Sequence, residues 1–583
     1  MNVRFEDYPK KIIARNETVR YPHVKMYFTG QAGGKWRGTG FFYNLLKENE
    51  PALAKEFGGM VFFAIPKTSV IQTDCFFDFV ESNRLWSLLS GERDDNEMTG
   101  RFLSAKFSES QKDAFRAVLE HHTRPIVARS SSLVEDSERT SFAGIFSSIF
   151  LPNQHHDITA RLEQFERAVK LVYASAFFSS ARDYRRRMGI VTDDQMAIMV
   201  QNVVGRHWHG KDGANLYYPE GSYAAFTHND YAVAGVSPRD GFARVAFGLG
   251  PGVVGNAERT FVRVNLGKPY PLAGMYDLDQ ILRNSPQSFY TLTFPDGEQL
   301  PDNEDFYLRK MKIFAEGEKS LVRMHTEYYD RQDEVKRSGP PGSPIFTMPY
   351  FFKEYNGLFV PAIRVLNTLL RSNFGMEVDH EGAFDTIGDK LLIYPLQARP
   401  QVRSDKKRVD VLPGIPIEKQ IFSTCEAQGK GNYSFKRVVF VPLEKFNFKT
   451  SREISDELRA INCELREIGA DGQYALFVPG RFGSSDASLG INGDFSTVSH
   501  SIAIIERIVG ANGWEASQGT HIFEAAVGAG IALCDYDKEG GLRGKLETHA
   551  SGISERKFAR IYSFDSPLEM KIDNEGNLLM YSP

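Results

Sequence analysis

An arginine followed by three serines, directly after an apolar strand, is the feature that most constrains how this chain can fold. It lies in residues 125–144, PIVARSSSLVEDSERTSFAG. The β-branched residues favour an extended chain, Arg129 then offers five fixed N–H donors, and Ser130–Ser132 add hydroxyls and backbone amides. This pattern is typical of a polyphosphate site. An arginine paired with Glu135 or Asp136 in a polar loop explains the segment equally well.

A glycine-rich segment with one lysine lies near the N-terminus. In residues 30–42, GQAGGKWRGTGFF, the paired glycines would let the backbone approach a ligand closely, and Lys35 adds a mobile positive charge. Trp36 stands where a P-loop has serine or threonine, so a P-loop NTPase is disfavoured. Taken alone, the segment is better explained as an ordinary turn.

Two neighbouring segments are predicted to pair as a hairpin. They are 376–385, MEVDHEGAFD, and 390–400, KLLIYPLQARP. Alternate residues of a strand share a face, so four polar side chains would converge: Asp379, Glu381, Gln397 and Arg399. The two carboxylates suit Mg²⁺ held jointly with nucleotide oxygens, and the other two groups would position phosphate or carboxylate. A surface hairpin with a cross-strand Glu-to-Arg pair is the alternative.

The remaining pattern alternates helices and strands, as in an α plus β enzyme. Helices are predicted over 41–56 and 158–190, a buried strand over 196–204 and a loop over 335–344. Residues 247–255, FGLGPGVVG, form either a glycine-rich cover over phosphates or a tight turn between strands.

Composition limits the classes of partner. The 583 residues and 42% apolar content suit about two to four domains. A net charge of -4 gives no sign of a nucleic-acid surface or a polybasic membrane anchor. Four separated cysteines without a CxxC pair argue against a disulfide framework and a structural zinc site. Without a signal-like N-terminus or a run of about 20 apolar residues, we expect a cytoplasmic protein that does not enter membranes.

These motifs, in this order, resemble the ATP-binding domain of the phosphoenolpyruvate synthase and pyruvate phosphate dikinase family. The motifs that carry the resemblance are GGK, ARSSSLVEDS with SFAG, MVQNVV, FGLGPGVVG, DHE and LQARP. It implies an α+β chain with an ATP-grasp unit over 28–402, after an N-terminal extension over 1–27. A charged, Pro- and Gly-containing stretch, 403–416, is predicted to link this unit to a smaller α/β domain over 417–583.

The resemblance also implies ATP and Mg²⁺ as cofactors and a role for each matching residue. In that family the lysine and the RSS arginine bind ATP phosphates, the acidic pair holds magnesium, and the LQARP glutamine and arginine line the same cleft. A glutamine at the end of the MVQ strand would lie near the adenine. The residues that carry over are Lys35, Arg129, Gln201, Asp379, Glu381, Gln397 and Arg399.

The C-terminal segments give weaker candidates. His500, in FSTVSHSIAII, faintly echoes the phosphohistidine signature of the family's swivelling domain but lacks the paired glycines. Arg481 stands among glycines and serines after an apolar strand, as in an anion site, with Asp486 in the same segment. His521 could donate a proton or accept a phosphoryl group. These segments resemble a bacterial group of phosphoenolpyruvate/pyruvate-binding-domain proteins, and structural roles for the same residues are equally consistent with the sequence.

The leading hypothesis is an ATP- and Mg²⁺-dependent phosphotransferase, kinase- or dikinase-like, that acts on an unidentified small acceptor. About 170 residues after the linker would not hold a TIM barrel of about 250, so pyruvate phosphorylation on this chain is not expected. An ATP-grasp ligase passing through an acyl phosphate and a non-catalytic ATP-sensing signalling module are the alternatives. The sequence leaves open whether AMP or ADP is formed, and it is compatible with a homo-oligomer.

Overall fold

The computed structural model describes most of the chain. The described residues are 24–89, 94–135, 144–190, 195–209, 215–227, 240–254, 260–268, 272–273, 275, 278–294, 307–313, 326–330, 335–337, 343–401, 409–424, 427–429, 431–484, 487, 489–507, 521–536, 541–574 and 576–583.

Helices and strands alternate through these residues. The α-helices are α1 (Gly33–Glu56), α2 (Thr73–Ser82), α3 (Asp95–Ser104), α4 (Glu109–His121), α5 (Ile158–Ser175), α6 (Ser179–Met188), α7 (Pro251–Val254), α8 (Leu278–Asn284), α9 (Pro349–Phe374), α10 (Ser451–Glu467), α11 (Phe495–Val498), α12 (His521–Gly528) and α13 (Leu542–His549). Short 3₁₀ helices span Leu85–Leu89, Leu443–Lys445 and Gly469–Gly472.

The strands, in chain order, are β1 (Val24–Tyr27), β2 (Val61–Phe63), β3 (Thr68–Ile71), β4 (Ile126–Ser132), β5 (Ser148–Leu151), β6 (Met196–Asn202), β7 (Arg206–His209), β8 (Asn215–Tyr218), β9 (Gly221–Phe226), β10 (Phe242–Ala246), β11 (Phe261–Asn265), β12 (Ser288–Thr293), β13 (Leu308–Lys312), β14 (Thr326–Asp330), β15 (Val335–Arg337), β16 (Ser343–Phe346), β17 (Val378–Ile387), β18 (Lys390–Pro400), β19 (Gln420–Thr424), β20 (Asn432–Phe440), β21 (Tyr474–Pro479), β22 (Arg481–Phe482), β23 (Gly490–Ile491), β24 (Ser501–Arg507), β25 (Ala532–Tyr536), β26 (Gly552–Glu555), β27 (Arg560–Ile572) and β28 (Leu578–Tyr581).

Two sheets form the framework of the N-terminal part. The first has the order β1-β3-β6-β4-β5, and the second has the order β11-β10-β9-β17-β18-β2. Two smaller sheets have the orders β13-β12-β8-β7 and β15-β14-β16. Strand β1 pairs in parallel with β3, so the folded unit already includes residues 24–27 at the end of the predicted N-terminal extension.

Helix α1 packs against both sheets, and two glycines make this close approach feasible. Gly33 has φ +78°, and a Cβ on it would lie 1.6 Å from the Ser131 carbonyl oxygen of β4. A Cβ on Gly38 would lie 2.3 Å from the Ala398 carbonyl oxygen of β18. Since only glycine avoids both contacts, the glycine-rich segment 30–42 places the start of α1 between the two sheets.

Several local predictions are confirmed and two need correction. The strand predicted over 196–204 is β6, and the helix predicted over 41–56 forms the later part of α1. The helix predicted over 158–190 is two helices, because the Asp95 carboxylate accepts hydrogen bonds from the Ser179 N–H and hydroxyl and starts α6 there. The predicted loop over 335–344 contributes to β15 and β16, with 338–342 outside the described residues.

The glycine-rich segment 247–255 forms a packed turn as far as it is described. Gly248 has φ +81°, and a Cβ there would lie 2.4 Å from the Tyr290 carbonyl oxygen of β12. Its own carbonyl accepts a hydrogen bond from the buried Ser222 hydroxyl at 2.7 Å. The backbone of Gly248 is therefore occupied by strand packing, which favours the tight-turn interpretation of this segment.

The C-terminal part is built on one large sheet of order β19-β28-β27-β20-β21-β24-β25, with β26 beside β27. Strands β20, β21, β24 and β25 run parallel and are joined through α10, α11 and α12. Alternate residues face opposite sides, so Leu476 joins the core shared with α10 while Phe477 joins the core that contains Leu542 of α13. The α+β prediction, with a smaller α/β C-terminal part, is confirmed.

Helix α6 connects the first sheet's unit to the C-terminal part. The buried Asp183 carboxylate accepts from Arg466 at 3.1 Å and from the Ser499 hydroxyl at 3.0 Å. Arg187 donates to the Ser499 and Ala529 carbonyl oxygens, each at 3.2 Å. No helix among the described residues combines the length and the apolar character needed to cross a membrane.

Candidate functional site

The start of α1 places Lys35 on the serine strand β4. The Lys35 ammonium donates to the Ser130 hydroxyl at 2.9 Å and forms an ion pair with the buried Glu135 carboxylate. The Trp36 N–H donates to the Ser131 hydroxyl at 3.1 Å, which fixes the first turn of the helix against the strand. The glycine-rich lysine segment and the RSSS motif therefore form one site, although they are nearly 100 residues apart in the sequence.

Arg129 connects the two sheets through two glutamines. Its guanidinium donates to Gln201 Oε1 of β6 at 3.2 Å and to Gln397 Oε1 of β18 at 2.6 Å. Both glutamines are buried, with exposed fractions of 1% and 4%. Glu135, the carboxylate that the sequence offered as a partner for this arginine, instead faces Lys35.

The acidic hairpin forms as predicted. Strands β17 and β18 are antiparallel, with Asp379 opposite Arg399 and Glu381 opposite Gln397, and a register shift follows Glu381. The Arg399 guanidinium lies 3.7 Å from Asp379 Oδ2, and the Gln401 amide donates to Asp379 Oδ1 at 2.7 Å. The pairing of the two strands is thus as predicted, while the shared role of the four polar side chains stays a prediction.

Burial dominates the electrostatics of Asp379. Loss of hydration raises the pKa of its carboxyl to about 7, while the neighbouring Arg399 guanidinium lowers that pKa and the Glu524 carboxylate raises it. A carboxyl with such a pKa is partly protonated near neutrality. A divalent cation beside it would favour the charged form.

The paired carboxylates fit a magnesium ion that is completed by a nucleotide. Asp379 and Glu381 offer hard oxygen ligands on one face of β17. Among the residues that the structure describes, no group of three or more His, Cys, Asp or Glu side chains could hold a metal by itself. Two protein carboxylates plus phosphate oxygens are the donor set that Mg²⁺ usually has in nucleotide sites.

One contact at this site could not be expected from any motif. Glu524 of α12, in the C-terminal part, accepts a hydrogen bond from Arg399 Nη2 at 2.5 Å. The two side chains are 8% and 15% exposed. They are separated by 125 residues, and the HIFE sequence around Glu524 resembles an ordinary helix turn. The Lys35 pairing with Glu135 was also missed, although Glu135 lies inside the RSSSLVEDS motif.

The other C-terminal candidates lie in different settings. His521 is the first residue of α12, and Asp486 and the side chain of His521 lie outside the described residues. Arg481 begins β22, which pairs in parallel with β23. His500 precedes β24 at its amino end, where its ring Nε2 lies 2.9 Å from the Gly469 carbonyl oxygen and burial lowers the pKa of its imidazole. His500 directly precedes β24, whereas Glu524 lies on α12, which follows β24 in the sequence.

Two comparisons with known proteins bear on the family of this chain. Residues 31–415 match the family described as pyruvate phosphate dikinase, AMP/ATP-binding domain. A Bacillus subtilis (strain 168) protein named "Uncharacterized phosphotransferase YvkC" is 28% identical over 150 residues. That alignment covers 25% of this chain and 16% of the relative, so the chain spans only a small part of the relative's length.

Proposed function

Because the chain belongs to the pyruvate phosphate dikinase AMP/ATP-binding domain family, we propose that it is an ATP- and Mg²⁺-dependent phosphotransferase acting on a small acceptor. One observation carries this proposal: strand β4 brings side chains of α1 and of both sheets together. Lys35 contacts β4, and Arg129 on β4 bonds Gln397 on β18, which lies opposite Glu381 in the hairpin.

In this proposal the cations act on the phosphates and the carboxylates hold the metal. Lys35 and Arg129 neutralise charge that develops on the transferring phosphoryl group, and Arg399 contacts the same phosphates from β18. Asp379 and Glu381 would hold Mg²⁺, which would supply positive charge to offset that of the phosphates. Catalysis is then chiefly electrostatic, which is the usual contribution of a protein to phosphoryl transfer.

Gln201 is the proposed residue beside the nucleotide base. It lies on β6, where its amide donates to the Thr68 hydroxyl at 3.2 Å and its oxygen accepts from Arg129. These two hydrogen bonds would hold the Gln201 amide in one orientation, which recognition of a flat base requires. In this proposal the base lies beside Gln201 on the first sheet, and the metal lies beside Asp379 and Glu381 on the second.

The acceptor is proposed to reach the phosphates from the C-terminal side. Helix α12 already contacts Arg399 through Glu524, and the helix begins at His521. A phosphohistidine at His521 would accompany a dikinase-like route that releases AMP, whereas direct transfer to a small molecule would release ADP. His500 is the weaker candidate carrier, because its ring nitrogen is already bonded to the Gly469 carbonyl.

Phosphorus NMR of the full chain with Mg-ATP and a mixture of small metabolites tests the proposal. We expect AMP or ADP together with a new phosphorylated species, and Glu381→Ala should lower turnover by at least about 100-fold because one metal ligand is lost. Glu464→Ala is a matched control, since its partner Arg556 is an exposed residue of the C-terminal part. Full turnover in Glu381→Ala would refute the metal assignment, and a new amide product would indicate a ligase.

The second candidate function is an ATP sensor, and the contact between Arg399 and Glu524 favours it. A charged residue of the C-terminal part lies on the arginine proposed for the phosphates, so nucleotide binding could reposition that part. Tight Mg-ATP binding with no product in the same NMR experiment would support the sensor over the phosphotransferase.

A further inference from the structure

The Glu524 carboxylate, from the C-terminal part, contacts the guanidinium of Arg399, the arginine proposed to bind phosphate. Glu524 Oε2 is 2.5 Å from Arg399 Nη2, and the pair is almost fully removed from water. A phosphate and the Glu524 carboxylate on the same guanidinium would bring two anions close together in a buried site, where their repulsion is poorly screened. Binding of one therefore disfavours binding of the other.

Helix α12 and the residue after it contact two separate places in the N-terminal part. Glu524, near the start of the helix, bonds Arg399 on the second sheet. Immediately after the helix, the Ala529 carbonyl accepts from Arg187 of α6, which belongs to the first sheet's unit. Eight residues of α-helix span only about 12 Å, so a change in the distance between Arg399 and Arg187 would strain one of these two contacts.

The contact to α6 is the better anchored of the two. Arg187 is joined there by Asp183, which is buried and bonded to Arg466 and Ser499 of the C-terminal part. Tyr184 packs edge-on against Phe495 of α11, with ring centroids 5.2 Å apart. The contact between Glu524 and Arg399 is a single ion pair, whereas α6 is held by several polar and apolar contacts. Nucleotide binding would therefore release the ion pair first.

Arg399 keeps a counter-charge when Glu524 leaves. Asp379 Oδ2 lies 3.7 Å from Arg399 Nε and does not depend on the C-terminal part for its position. The arginine is therefore not left as an isolated buried charge, which would otherwise make release of the ion pair very costly. Exchange of Glu524 for a phosphate oxygen substitutes one anion for another.

We propose that Glu524 competes with the nucleotide phosphates for Arg399, so that Mg-ATP binding detaches α12 from β18 and the C-terminal part responds to occupancy of the ATP site. This inference rests on the proposed function, because it takes Arg399 as a phosphate ligand. Glu524 thereby sets the affinity for nucleotide and transmits its binding.

The test measures nucleotide affinity and local opening in the full-length protein. In Glu524→Gln the carboxylate charge is absent, and we expect calorimetry to give a Kd for Mg-ATP lower by about tenfold or more, given the coupling of close charge pairs. Glu464→Gln, which alters an exposed pair with Arg556 in the same part of the chain, should bind like the wild type. Hydrogen exchange in 521–528 should increase with Mg-ATP in the wild type and be high without it in Glu524→Gln.

Failure of this proposal can be told apart from failure of the proposed function. A wild type that binds no Mg-ATP overturns both. A wild type that binds, with the same or weaker affinity in Glu524→Gln, overturns the competition and leaves the ATP site standing. Should Glu524→Gln fail to fold, Glu524→Asp retains the charge on a shorter side chain, and wild-type affinity in that variant overturns the proposal as well.

Discussion

Replacement of Arg129 by alanine should destabilise the protein as well as remove a phosphate ligand. The guanidinium donates to Gln201 at 3.2 Å and to Gln397 at 2.6 Å, and these buried amides come from different sheets. A buried acceptor that loses its partner costs about 1–3 kcal/mol. Two such acceptors give an expected loss of about 2–4 kcal/mol in the free energy of unfolding, since partial access of water to the site reduces the upper value.

Urea unfolding followed by tryptophan fluorescence measures this loss. Trp36, one of four tryptophans, is buried beside the Ser131 hydroxyl at the start of α1, and its emission is the part of the signal that reports on the junction of the two sheets. The first unfolding transition is the relevant one, because a chain with more than one folding unit need not unfold in two states. Arg116→Ala is the matched control: it removes an exposed pair with Asp113 on α4 and should cost less than about 1 kcal/mol.

The result that would refute this reasoning is an Arg129→Ala protein that unfolds at the same urea concentration as Arg116→Ala. Arg129→Lys provides a finer check. A lysine retains the charge but has no planar fork to reach both glutamines at once, so we expect an intermediate midpoint. A midpoint equal to that of the wild type would mean that charge alone, without the two-sheet bridge, stabilises the junction.

Two further predictions concern the backbone and pH. Gly33→Ala should prevent correct folding, because its Cβ would lie 1.6 Å from the Ser131 carbonyl oxygen. Gly58→Ala is the control: it is also at positive φ, but no described atom lies within 4 Å of its Cβ. Thermal denaturation should show that this control loses only about 1–2 kcal/mol of the free energy of unfolding. Burial lowers the pKa of His122 to about 4, so below pH 6.5 the unfolded state binds the proton more tightly and stability should fall by about 3 kcal/mol as the pH approaches 4. The same titration of His122→Gln should lack this component, and an identical slope in both proteins would contradict the assignment.

The parts of the site that were predictable are those encoded by short-range patterns. Alternation in DHE and LQARP indicates which side chains share a face, so the hairpin of β17 and β18 was predictable, whereas its register, with a shift after Glu381, was not. The apolar run before Arg129 likewise predicts a buried strand. The neighbours of these elements in the sheets were not predicted, because the order of strands in a sheet leaves no local signal in the sequence.

The parts that were not predictable depend on distant partners. The break between α5 and α6 depends on Asp95, a residue more than 80 positions away that caps the second helix. The Glu524 contact with Arg399 joins the C-terminal part to the second sheet, and no charge pattern in the sequence predicts it. The domain limits at 403–416 stay a prediction, as do the roles of the site residues.

The position of α1 between the two sheets also determines when the site can form during synthesis. The first sheet is complete once β6 has been made, whereas the Thr39 hydroxyl of α1 bonds the Leu396 carbonyl, 357 residues later. Strand β2 likewise cannot pair until β18, its neighbour in the second sheet, has been synthesised. On a ribosome, the nascent chain therefore carries one side of α1 uncovered for most of its elongation. We expect slow maturation and dependence on chaperones to originate at this helix, because long-range closure is late and leaves apolar surface exposed.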